Sequence, residues 1–108
     1  MNPKFEERGM DMGVRHGREY QEILSDLTEA LGAINNSYEF FEMTNEEWAE
    51  LGTPERGEVI EALADDVFYG LGVDPVITVG EGTVTYHPKF HIIEVAVDGK
   101  EIRIVRLT

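Results

Sequence analysis

The side chains of this chain that could do chemistry are mostly carboxylates, and they are gathered in one stretch. Residues 19–66 hold fourteen acidic side chains and one basic one, Arg56. Glu19, Glu22, Asp26 and Glu29 recur there at steps of three and four, and so do Glu55, Glu58, Glu61 and Asp65. On a helix such neighbours share a face, with Cβ atoms roughly 5–6 Å apart. The chemistry this spacing suits is electrostatic. It makes a row of negative charge at phosphate-like intervals, able to dock on a basic groove of another protein. Tyr38, Phe40, Phe41 and Trp48 lie inside the acidic block as candidate apolar anchors of such a surface; such residues are more often core, Trp48 least so because Glu46, Glu47 and Glu50 surround it.

The rows have an energetic cost. Each main helix would carry three like-charge neighbours (19/22, 22/26, 26/29 and 55/58, 58/61, 61/65). At roughly 0.2–0.5 kcal/mol per pair the repulsion totals about 1–3 kcal/mol. Glu-to-Lys spacing would have removed it, so its retention points to function. The expected partner-binding residues are Glu19, Glu22, Asp26, Glu29, Glu47, Trp48, Glu50, Glu58, Glu61 and Asp65.

Other chemistries find less support. His87 and His91 (HPKFH) have a ligand-like spacing, but Pro88 between them makes the segment a turn entering a strand, not a helical metal motif. No Asp-rich calcium loop is present, there is no cysteine, and no metal or other cofactor is expected. Gly80-Glu81-Gly82 precedes a strand, unlike a phosphate loop, which opens a helix. Ser25 and Ser37 lack the setting of a nucleophile and read as helix-surface and cap residues. Asp65-Asp66 are adjacent and do not face one another on a helix. A non-enzymatic role is the expectation.

The elements that must position these residues can be read from apolar periodicity. Tyr20, Leu24, Leu27, Leu31 and Ile34 predict a helix over 18–34, opposite the first acidic row and ended by Asn35-Asn36-Ser37. Tyr38–Met43 (YEFFEM) reads as an extended connector or short strand. Thr44 with Glu47 makes a capping box that opens a short helix to Leu51. Thr53-Pro54 starts another, with Val59, Ile60, Leu63, Val67 and Leu71 as its buried stripe and Gly70 and Gly72 at its end. From Val73 the composition turns β-branched. Strands are predicted over 76–79, 83–87, 90–97 and 100–107, with hairpin signals at Gly80-Glu81-Gly82 and Asp98-Gly99.

The expected fold class is therefore α+β: two main helices plus a short one packed on a three- to four-stranded antiparallel β-meander. Residues 1–17, with Gly9, Gly13 and Gly17, read as a flexible or loosely docked N-terminal arm whose Arg8, Arg15, His16 and Arg18 can fold back on the acidic block. Residues 18–108 read as a single domain, with an acidic helical half at 18–72 and the meander at 73–108.

The formal net charge of −13 is not spread over the chain. Residues 1–18 carry a net +1, residues 19–66 a net −13 and residues 67–108 a net −1. Direct nucleic-acid binding and anionic membrane surfaces are disfavoured by that sign, and a basic partner protein is expected. The N-terminus (MNPKFEERG) lacks the apolar core of a secretion signal, and the absence of cysteine suits a cytoplasmic location. The acidic face opposes self-association, so a monomer, or a weak homodimer through a β edge, is expected.

These readings combine into an acidic protein-interaction domain, acting as a nucleic-acid mimic that inhibits a nucleic-acid-processing enzyme. In size, charge and lack of cysteine the chain is like acidic α+β proteins found among phage-encoded inhibitors of host defence and among immunity proteins for nuclease toxins. No motif ties it to one such family. The alternative is a small housekeeping or structural domain whose acidic faces are only solvated.

Overall fold

The computed structural model describes residues 13–108. Helix α1 spans Tyr20–Gly32. A 3-10 helix at Ser37–Phe41 leads to α2 at Asn45–Ala49 and α3 at Thr53–Gly70. Four strands follow: β1 at Val76–Val79, β2 at Gly82–His87, β3 at Ile92–Val97 and β4 at Lys100–Arg106. They form one antiparallel sheet in the order β1-β2-β3-β4, a meander. The protein is α+β.

One apolar cluster joins the layers. From α1 it takes Ile23, Leu24, Leu27, Ala30 and Leu31, and from α3 Ile60, Leu63, Ala64, Val67 and Phe68. Alternate sheet residues Val84, Ile93, Val95 and Val105 face them, each fully buried, as period-2 strands with one covered face require. The helical stripes follow the periodicity of the sequence, except that Val59 is only half buried.

The turns carry the register. Asp98 (φ 55°) and Gly99 (φ 76°) both adopt the left-handed region, as a two-residue type I′ hairpin demands. Gly80 (φ 54°) is more constrained: a Cβ there would lie 2.5 Å from the Asn36 carbonyl oxygen and 2.6 Å from that of Asn35. The connector after α1 thus presses its backbone onto the β1–β2 hairpin, and the Glu81 amide donates to the Asn35 carbonyl over 3.2 Å. Ile102 is the extra residue of a bulge, since Val95 pairs with Arg103 and Ala96 with Glu101.

One expectation needs correction. Tyr38–Met43 is neither extended nor a strand. Ser37–Phe41 is helical because Asn36 (φ 63°) and Glu42 (φ 59°), at its two ends, turn the chain through the left-handed region and let Tyr38 become buried. Residues 13–17 are the described part of the expected arm, and they are docked. Val14 is 6% exposed within the core, the Arg15 amide donates to the Tyr86 hydroxyl (3.2 Å), and the Gly17 amide donates to the Leu107 carbonyl (2.7 Å). Residues 1–12 of that arm, including Arg8, lie outside the described residues.

The capping box forms as its spacing predicts. Thr44 Oγ1 accepts from the Glu47 amide (3.1 Å), and Glu47 Oε1 accepts from the Thr44 amide (2.8 Å). Thr44→Ala should cost about 1 kcal/mol of stability, the usual worth of an N-cap, measurable by urea denaturation as a lower midpoint with unchanged slope.

Candidate functional site

The acidic residues lie on the solvent side of the helical layer. Helices α1 and α3 run side by side in opposite senses: Tyr20 packs on Phe68, and the Gly32 end of α1 meets Ile60. The groove between them is lined by Gln21, Leu24, Ser25, Thr28 and Glu29 of α1 and by Glu61 of α3. A second depression, lined by Arg18, Gln21, Glu22, Ser25 and Asp26, shares Gln21 and Ser25 with it. Glu22, Asp26, Glu29 and Glu61 therefore border one continuous surface. Glu58 and Asp65 stand on the same flank of α3 as Glu61, at steps of three and four.

The two rows differ in how their charge is met. On α1, Arg18 approaches Asp26 (3.1 Å) and Glu22 (3.6 Å), while Arg103 of β4 approaches Glu29 (2.7 Å) and Asp26 (3.9 Å). Two guanidinium groups are thus interleaved with three carboxylates, and the repulsion within this row is offset from outside the helix. On α3, Glu55, Glu58 and Glu61 form no ion pair or side-chain hydrogen bond among the described residues. Glu46 and Glu50 of the α2 segment are likewise exposed and unpaired among the described residues. Arg56, the one base in the acidic stretch, is turned inward: its Nε donates to the Trp48 carbonyl (3.2 Å), and its Nη2 to that of Ala49 (3.4 Å). It caps α2 and leaves the neighbouring carboxylates unneutralised.

The remaining expected site residues divide. Glu19 is exposed at the N-cap of α1 and makes no side-chain capping bond. Glu47 is exposed but held in the capping box. Asp65 is half buried and accepts from the Tyr20 hydroxyl. Trp48 is half buried, with its ring stacked on Tyr38 (centroids 5.1 Å apart, planes at 17°) and the Arg56 guanidinium 5.3 Å from its centroid. Its ring is thus engaged within the helical layer, apart from the groove between α1 and α3. Exposed aromatics in or beside the acidic stretch are Phe41, 39% exposed between Glu39 and Glu42, and Tyr69, 62% exposed at the C-terminal end of α3 next to Asp65 and Asp66. The apolar periodicity around Tyr69 gave no signal that it faces outward with the acids.

Burial, the bond to Asp65 and that carboxylate's charge, with a smaller effect of Tyr69, hold the Tyr20 hydroxyl well above the usual phenol range. The sign follows from proton counting. Above pH about 10 an unfolded tyrosine loses its proton while folded Tyr20 keeps it, so stability present below that pH declines as pH rises. Thermal melts between pH 9 and 11 should therefore show a shallower decline for Tyr20→Phe than for the parent protein; equal slopes would exclude this account.

Away from the helices, His87 Nε2 and Glu94 Oε1 lie 2.9 Å apart on the uncovered sheet face. The recess beside them is lined by Tyr86, His87, Pro88, Lys89 and Phe90, and the Tyr86 oxygen is already bonded to the Arg15 amide. A diagonal cross-strand pair of this kind is a unit of sheet stabilisation. Among the described residues no group of three histidine or acidic side chains is arranged to hold a metal ion, and no helix is long and apolar enough to cross a membrane.

Fold and site together define a small α+β protein with a helical layer whose outer surface is acidic. Comparison with protein-family models, curated proteins and solved structures finds no match for this chain.

Proposed function

We propose that this protein is a non-enzymatic interaction domain that presents the acidic surface of α2 and α3 to a basic surface on a partner protein. The partner class is a nucleic-acid-processing enzyme whose phosphate-binding channel the carboxylates occupy as a nucleic-acid mimic. One observation carries the reading. Like-charge repulsion is offset by Arg18 and Arg103 along α1, but along α3 Glu55, Glu58 and Glu61 have no ion-pair partner among the described residues, the nearby Arg56 being bonded to the Trp48 and Ala49 carbonyls. A merely solvated helix gains by acquiring cationic neighbours; a docking surface acquires them from its partner. Tyr69 supplies the exposed aromatic that a desolvated contact needs.

The test is affinity capture from the native host at low and high salt, followed by identification of the co-eluting protein and competition with duplex DNA. A basic, nucleic-acid-binding partner released by salt and displaced by the duplex is the expected result. Partner recovery insensitive to both would leave the acidic faces as solvated surface.

A further inference from the structure

A second concavity, of about 310 Å³, lies where α1, the 3-10 helix, α2 and α3 meet, and no charged side chain lines it. Its floor includes Ile34 and Ile60, 3% and 7% exposed. Ser37 also lines it. That residue is 3% exposed, and its hydroxyl has no hydrogen-bond partner among the described residues. A buried hydroxyl without a partner is uncommon, because its desolvation is not repaid inside the fold.

Polar groups around the hydroxyl are open too. Asn36 is occupied: its amide nitrogen donates to Glu81 (3.0 Å), which leaves Oδ1 to accept from the Tyr38 hydroxyl (3.0 Å). Asn45 Oδ1 lies 3.1 Å from the same hydroxyl, whose single proton faces both acceptors, and the Asn45 NH₂ has no hydrogen-bond partner among the described residues. The Asn35 side-chain amide and the Trp48 indole N–H make no hydrogen bond among the described residues. The site therefore offers donors and acceptors with no charge.

We infer that this concavity is a binding site for a neutral nucleobase, presented as a free nucleoside. An anion would meet no basic side chain there and would enter against a net charge of −13, and a cation would meet no lining carboxylate. The Asn35 amide, with one donor and one acceptor face, and the Asn45 NH₂ offer the kinds of group that pair with the edge of a base, and Ile34 and Ile60 supply apolar contact for its ring. The volume lies at the lower end of the roughly 300–1,000 Å³ range of ligand pockets, enough for a small ring system. Sugar stacking is less well served, because the Trp48 ring is already packed on Tyr38.

The test uses the whole protein and the four nucleosides adenosine, guanosine, cytidine and uridine, with glucose as the control. Trp48 is the only tryptophan, so one indole N–H cross-peak in the nitrogen-15 spectrum reports on the site. At least one nucleoside should move that peak saturably below about 10 mM, equally at low and high salt, which separates this site from the acidic surface. Ser37→Ala and Asn35→Ala should each weaken binding about five- to tenfold, the loss of one hydrogen bond. Ser37→Ala should also leave the melting temperature unchanged or higher, since it removes an unpartnered hydroxyl. The inference is overturned if no nucleoside moves the peak, if glucose moves it equally, if both variants bind within twofold of the parent, or if Ser37→Ala lowers the melting temperature.

Discussion

Replacing Gly80 by alanine should lower the melting temperature by roughly 12–24 °C. A left-handed backbone costs an L-residue about 1–2 kcal/mol, and the added methyl would overlap the Asn35 and Asn36 carbonyls at 2.5–2.6 Å. Neither carbonyl can retreat easily. That of Asn35 accepts the Glu81 amide, and that of Asn36 accepts the Glu39 amide at the start of the 3-10 helix. Separating them shifts a backbone segment against the core, so a total near 3 kcal/mol is expected, at about 4–8 °C per kcal/mol for a domain of this size. Gly99→Ala is the control. It has the same sign of φ (76°), but its Cβ would meet nothing within 4 Å, so only the conformational cost of about 1 kcal/mol should register. Calorimetry of the two variants would reveal the contact as the difference; equal losses would mean that the close approach at Gly80 has no energetic consequence.

Charge reversal should separate the two acidic rows. Glu58→Lys with Glu61→Lys places cations where the parent has unpaired carboxylates. It removes like-charge neighbours worth roughly 0.2–0.5 kcal/mol each, so stability should hold or rise slightly. Against a basic partner the same change sets like charges face to face at a cost of several kcal/mol, and capture at low salt should fall by about 100-fold or more. Glu22→Lys with Asp26→Lys should do the reverse. It puts cations beside Arg18 and Arg103, and about 1–2 kcal/mol of stability should be lost, with a smaller effect on capture. Melting curves and capture on the same four proteins (parent, each pair, and all four changes) give the comparison. If the α1 pair proves the stronger determinant of capture, the partner surface has been assigned to the wrong helix.

What could be read from sequence alone was what local chemistry fixes. The two long helices, the capping box at Thr44 and the Asp98-Gly99 hairpin each depend on residues within one or two turns of one another. The paired roles of Arg18 and Arg103 depend on separations no periodicity reveals: Arg103 reaches α1 from β4. The packing of Trp48 escapes periodicity for the same reason, because Tyr38 and Arg56, which meet its ring, belong to different elements on either side. Tyr38–Met43 misled in another way. Its aromatic content favours a strand, whereas tertiary burial of Tyr38 and two left-handed residues set its path. Asn35-Asn36-Ser37 was legible as the end of a helix, but nothing local shows that the Ser37 hydroxyl is sealed without a partner.

The docking of the first described residues bears on the timing of folding. Val14 and Leu107 belong to the same core, and the Gly17 and Arg18 amides both close on the Leu107 carbonyl. Such a contact closes a loop over residues 17–107, and its closure entropy must be met before the contact gives anything back. While β4 is still inside the ribosome, α1 has no Arg103 and the core lacks Val105 and Leu107. The emerging chain holds its acidic helices with their apolar stripes only partly covered, and completion waits for the final strand.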